Sequence, residues 1–105
     1  MATENLGRIV AEVVTPSHAL YEGPVDEVIA KSGSGLMTIL PNHLPALLDL
    51  TMAPLVLKSA VLDERVFVIE SGFLEFKNNT LTILVDQGRE VADRDEANAI
   101  CGTKI

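Results

Sequence analysis

Tryptophan is absent from this chain of 105 residues, and Trp, Tyr and Phe together make up only 4% of it. A small-molecule pocket lined by converging aromatic rings is therefore hard to build. One cysteine, Cys101, cannot close an internal disulfide, which fits a reducing compartment. Histidine occurs only as His18 and His43, neither with a His, Cys or Asp partner at metal-ligand spacing, so no metal site is expected. Basic residues are scarce too: eight Lys and Arg face fifteen Asp and Glu, for a formal net charge of −7. That charge repels phosphate backbones and anionic headgroups, which argues against nucleic acid and against direct lipid contact. Pro, Asp or Lys interrupts the longest apolar stretches well short of the ~20 residues that a membrane-spanning helix needs. Met1 to Gly7 contains Glu4 and no apolar segment behind a basic start, so no secretory leader is expected and the chain is read as soluble.

What is present suits a packed domain. The hydrophobic share is 48%, far from a disordered composition, and the length closes one core rather than two. With few rings, Val, Ile and Leu must fill that core, and their β-branched share favours strands. From Arg8 the chain reads as short runs at 8–14, 19–22, 25–31, 37–40, 46–50, 54–60, 65–70, 73–77 and 80–85, with a further piece near Glu90. In the first run Ile9, Ala11 and Val13 share one face, with Arg8, Val10 and Glu12 on the other. Turn chemistry separates the runs at Gly23-Pro24, Ser32-Gly33-Ser34-Gly35, Pro41-Asn42, Asp63-Glu64, Ser71-Gly72 and Asn78-Asn79, the last reading as a tight hairpin. The expected fold class is all-β, a two-layer sandwich of about ten short strands filling a domain over residues 1–91. Residues 92–105 form a short helical tail: Asp93 stands three residues before Glu96, as in a capping box. Two helical turns are marginal alone, so the tail is either docked or frayed.

Chemistry is sparse. Ser32-Gly33-Ser34-Gly35 is followed by Leu36 and Met37, where a phosphate-binding loop needs Lys and then Ser or Thr. Ser17 and His18 are adjacent in sequence, which does not make a nucleophile and its base. Asp26, Glu27, Glu70, Glu75 and Asp86 fall in alternating runs or at their ends, the pattern of a solvated face. Cys101, in the tail, lacks the rigid surroundings a catalytic thiol requires. No catalytic residue is assigned and no enzyme is expected.

Three segments carry a resemblance. Residues 13–28 read Val-Val-Thr-Pro-Ser-His-Ala-Leu-Tyr-Glu-Gly-Pro-Val-Asp-Glu-Val. Residues 35–48 hold Gly35, then Ile39-Leu40-Pro41, His43, Pro45 and leucines. Ser71-Gly72-Phe73-Leu74-Glu75-Phe76 precedes a return run from Asn79 to Asp86. In this order they resemble the epsilon subunit of bacterial and chloroplast F-type ATP synthases, called delta in mitochondria. The resemblance implies a flattened sandwich of about ten strands, in agreement with the runs above. It also implies a central-stalk role without catalysis, bolting the gamma subunit to the polar loops of the c-ring while proton flow turns both. By resemblance the c-ring contact is expected at Ser34, Gly35, Leu36, Met37, Pro41, Asn42 and His43. Gamma contact is expected at or near Thr15, Leu20 and Tyr21, Tyr21 being equally a candidate core residue. The expected location is the cytoplasmic face of a bacterial inner membrane, reached only through the complex.

Departures from the family pattern shape these expectations. Leu36 and Thr38 stand where the family has an acidic residue and a glycine, so an apolar ring contact replaces a charged one. Asn42 replaces a glycine and tolerates the same left-handed backbone. The family's nucleotide motif falls on Arg94-Asp95-Glu96-Ala97-Asn98-Ala99, with Asn98 in place of its arginine, so neither nucleotide nor any other cofactor is expected. Most members continue into an inhibitory helical hairpin, of which residues 92–105 look like a remnant. The competing expectation is a stand-alone β-sandwich that binds a ligand.

Overall fold

Period-two alternation builds the first strand, β1 (Ile9–Val14), where Ile9, Ala11 and Val13 are fully buried while Val10 and Glu12 face solvent. Nine more strands follow: β2 (Ala19–Val25), β3 (Glu27–Ser32), β4 (Gly35–Ile39), β5 (Ala46–Leu50), β6 (Ala53–Ser59), β7 (Asp63–Ile69), β8 (Gly72–Lys77), β9 (Thr80–Val85) and β10 (Gly88–Val91). Among the described residues one helix, α1 (Arg94–Cys101), follows the strands. The structure is a computed structural model that describes residues 8–60 and 63–105. The expectations for Met1 to Gly7, including a domain start at residue 1, lie outside the described residues.

Hydrogen-bonded strands run in the order β10-β7-β6-β3-β5-β8-β9-β1-β2, with β4 on the free side of β3. Only Ser32 and Leu50 join β3 to β5, so the path bends there into two layers. The first sheet is β5-β8-β9-β1-β2 and the second is β4-β3-β6-β7-β10. Their inner faces make the main core, in which Ile9, Val13, Leu74, Phe76, Leu81 and Ile83 of the first sheet pack with Val28, Leu55, Leu57, Phe67 and Ile69 of the second. A second cluster lies on the outer face of the second sheet, where Ile29, Val56, Val66, Val68 and Val91 are covered by Ala97, Cys101 and Ile105. β6 and β7 are thus buried on both sides, which accounts for their unbroken apolar runs Ala53 to Leu57 and Val66 to Ile69.

The helix is docked, not frayed. Asp93 caps it by accepting from the Glu96 backbone N–H at 2.9 Å, and Glu96 accepts from the Ala92 N–H at 2.9 Å. Gly102, in the left-handed region with φ 67°, closes it. Arg94 forks onto Glu64 of β7 at 2.7 and 2.9 Å. Beyond the cap, the Asn98 side-chain oxygen accepts from the Thr103 hydroxyl at 3.0 Å and from the Ile105 N–H at 3.1 Å.

Three expected joints lie differently. β2 runs through Gly23-Pro24, which pair with Ala11 and Val10. β2 is an edge strand, where proline's missing donor disrupts no second ladder, and Gly23 at φ 153° lets the chain pass against the Tyr21 ring. Glu64 is a strand residue opposite Lys58, leaving the left-handed backbone, φ 58°, to Asp63. Gly72 opens β8 because a Cβ there would lie 2.1 Å from the Leu84 carbonyl oxygen. Asn78 and Asn79, at φ 53° and 58°, make the expected primed hairpin turn.

Candidate functional site

Strand alternation sends every second residue of the first sheet outward, and at one end of that sheet Phe73, Leu84 and Val14 stand outward beside Asp49. Phe73 pairs with Asp49 on one side and Leu84 on the other, and Leu84 pairs in turn with Val14. The result is a row across four adjacent strands, in which Phe73 is 56% and Leu84 51% exposed. One step along, the row reads Leu47, Glu75, Thr82, Glu12, Glu22. Beside the apolar row lies an open groove of about 600 Å³, bordered by Pro16, Asp49, Ser71 and Asp86 as well as the row itself. Exposed aromatic and aliphatic side chains fixed on inner strands, with carboxylates around them, suit protein contact rather than bond chemistry.

The Thr15–His18 turn stands at this same end. Its tight geometry comes from Thr15, whose hydroxyl accepts from the Ser17 and His18 N–H groups, each at 3.1 Å. Leu20 is half-buried at the edge beside Gly88 and Ile69. Tyr21 is a core residue, 6% exposed, its hydroxyl donating to the Pro24 carbonyl at 2.9 Å and its ring lying 5.1 Å from the Arg65 guanidinium carbon. Too few rings were available to the interior for this one to be spared.

The seven residues expected at the c-ring fall into two groups that the fold separates. Ser34, Gly35, Leu36 and Met37 form the β3–β4 turn and the start of β4, which the Ser32–Leu50–Gly72–Val85 pairings place at the Thr15 end. The Ser32 hydroxyl ties that turn by accepting from the Ser34 N–H at 3.1 Å. Leu36 is 54% exposed. Pro41, Asn42 and His43 lie beyond the far end of β4, roughly 20 Å away at about 3.3 Å per strand residue. There the Asn42 N–H donates to Asn79 Oδ1 at 2.6 Å, Asn79 Nδ2 donates back to Asn42 Oδ1 at 2.9 Å, and His43 packs edge-on to Phe76. Asn42 takes the left-handed backbone, φ 69°, that its glycine-like position predicts.

Phe73 and Leu84 were not expected as contact residues, although a signal existed. In 73–77 and 80–85 they share parity with Glu75, Thr80 and Thr82, so an outward Phe and Leu were readable from alternation alone. Among the described residues, no three of His, Cys, Asp and Glu are grouped to hold a metal ion, and no helix is long and apolar enough to cross a membrane.

The family described as "ATP synthase, Delta/Epsilon chain, beta-sandwich domain" matches residues 9–90. An ATP synthase epsilon chain of Brevibacillus brevis is 32% identical over 94 residues, covering 90% of this chain and 71% of that one. One from Leptospira interrogans is 34% identical over 88 residues, covering 84% and 68%. The fold is also similar to a chain in the Euglena gracilis mitochondrial ATP synthase assembly of OSCP, F1 and c-ring, with TM-score 0.76 and 16% identity. That likeness covers 86% of this chain and 59% of the Euglena one. A chain of the Tetrahymena thermophila central stalk and c-ring matches with TM-score 0.66 and 20% identity, covering 87% and 70%.

Proposed function

This chain belongs to the ATP synthase delta/epsilon β-sandwich family, and from that membership we propose that it is a non-catalytic central-stalk subunit coupling the gamma subunit to the c-ring during proton-driven ATP synthesis. The observation that supports the reading is a convergence: Thr15, a gamma candidate, and the Ser34–Met37 segment, a ring candidate, stand at one end of the sandwich. A subunit that bolts two bodies together needs both contacts where those bodies meet. Thr15 and Leu20 serve gamma directly, and Tyr21 supports them from the core.

Ring contact runs through Ser34, Gly35, Leu36 and Met37. Pro41, Asn42 and His43 brace the opposite end by way of Asn79 and Phe76. The helix senses no nucleotide, because Asn98 stands at the arginine position and its side chain is engaged with Thr103 and Ile105. The complex holds the protein peripherally at the cytoplasmic face of a bacterial inner membrane.

The test is binding to gamma and then to c-ring with gamma present, at low and at high salt, for the native chain and Leu36→Glu. Native binding that persists above the ~0.1 M range where exposed ion pairs are screened is expected of an apolar contact. Dissociation of the native chain in salt together with tighter binding by Leu36→Glu would remove the apolar ring contact. Failure to bind gamma at all would remove the rotor role.

A further inference from the structure

A strand at the side of a sheet offers unpaired backbone groups to any other strand, and among the described residues β2, β4, β5 and β10 have such a side, β5 apart from its Leu50 pairing. Most of them carry a device against edge-to-edge pairing. β2 contains Pro24 and a register shift against β1. β10 is only 4 residues long and holds Arg89 and Glu90, while β5 holds Asp49 and is entered through Pro45. β4, Gly-Leu-Met-Thr-Ile, has no charge and no proline and keeps a regular register with β3. Leu36 within it and Leu40 just beyond are 54% and 51% exposed. We propose that β4 pairs antiparallel with β4 of a second copy, so that the unassembled chain is a dimer with one sheet running through both copies.

The free backbone groups fix the register. Ser32 and Gly35 flank a two-residue loop and so form a hydrogen-bonded pair, and alternation assigns the next such pairs to Ala30–Met37 and Val28–Ile39. The N–H and C=O of Leu36 and Thr38 therefore point away from β3. A two-fold axis at Met37 sets Leu36 opposite Thr38 of the second copy, and each such pair exchanges both of its hydrogen bonds. The Leu36 and Thr38 side chains, exposed in one copy, then share a row across the axis. Charge favours this approach over others. Copies of formal net charge −7 repel, but β4 brings no carboxylate to the seam, and the charged residue paired beside it is the basic Lys31, opposite Leu36. An uncharged strand gives an acidic or basic segment nothing to select it by, whereas its own sequence meets every free group of Leu36 and Thr38. Under the rotor reading above, dimer and ring contact compete for Leu36 and Met37, so assembly draws monomers from a dimer reserve; the dimer itself does not depend on that reading.

The isolated chain is the sample, followed by sedimentation up to about 1 mM, where even weak association is visible. It should be dimeric at the top of that range, and more so as salt screens the like charges. Thr38→Pro removes an N–H that β3 does not use, and Thr38→Lys sets like charges at the seam. Each should weaken association about tenfold or more while the melting of dilute monomer is unchanged. Leu47→Lys, on β5, should dimerise as the native chain does. Amide exchange reads the register: Leu36 and Thr38 should slow as concentration rises, whereas Met37 is slow throughout. A native chain still monomeric at about 1 mM overturns the proposal, as does a dimer whose Leu36 and Thr38 amides exchange freely. A dimer that Leu47→Lys dissociates and Thr38→Lys does not would belong to the first sheet, and one that salt dissociates would rest on ion pairs; either result overturns it. None of these measurements involves gamma or the ring, so failure of the rotor role would leave them as they are.

Discussion

Asn79 performs two tasks that substitution can separate. Its backbone supplies the left-handed second residue of the hairpin turn, φ 58°, and its side chain exchanges two hydrogen bonds with Asn42. Asn79→Gly keeps the turn and loses the side-chain bonds, at a cost of about 1–2 kcal/mol. Asn79→Ala loses the bonds and adds left-handed strain of roughly 1–2 kcal/mol. Denaturant melts should therefore rank native above Gly above Ala; Ala equal to Gly would show that the turn, not the pairing, is dispensable. The turn was legible, since two asparagines between alternating runs specify it. The Asn42–Asn79 pairing was not, because no local pattern reports that loops 37 positions apart in sequence meet at one end. Tyr21 was only half legible: the scarcity of rings pointed inward and the family pattern outward, and burial decided for the core.

The strands of the first sheet were legible because they obey alternation, and β6 and β7 because turn residues bound their apolar runs. Ile83, at 0% exposure on β9, is a direct consequence, and Ile83→Ala should destabilise by about 2–5 kcal/mol in a denaturant titration. A loss under 1 kcal/mol would mean that the site collapses around the missing atoms. The helix was legible from its caps, but its docking was not, since the face it covers is assembled from β3, β6, β7 and β10. Glu64, first read as a turn residue, anchors it. The Arg94 guanidinium holds the Glu64 carboxyl below its ordinary range, chiefly by the side-chain hydrogen bond, and Arg65 does the same for Glu90. A carboxylate depressed on folding contributes its stability in full above the unfolded value, about 4.3 for Glu, and loses it as pH falls through the folded value. Glu64→Gln should therefore lower the melting temperature at neutral pH, by a pair energy on the order of 1 kcal/mol or less, and converge with the native chain in acid. A difference that is constant across pH would assign the effect to shape instead of charge.

At the scale of the whole molecule, two sheets share one core, and among the described residues a helix covers the outer face of the second while none covers that of the first. In the proposed rotor role that asymmetry would set the orientation of the subunit, with the Thr15 end toward the ring. Sequence could reach the partners only through family resemblance, because flat interfaces between proteins carry no catalytic signature to read. It could not reach their arrangement, since end and face are properties of the closed sandwich.

The parallel pairing of β1 with β9, Val10 beside Thr80 and Val14 beside Leu84, sets a condition on how the protein is made. An amino-terminal strand left waiting for one near the other end has only β2 for company while the ribosome supplies the rest. Closing so long a loop is slow, and the waiting chain exposes the aliphatic faces it will later bury. Nascent chains stalled so that everything up to Ser71 has emerged should remain open to protease, whereas chains released past Val91 should become resistant in one step. Early resistance would mean that β3, β6 and β7 form a stable unit of their own, and that the first sheet assembles on a finished template.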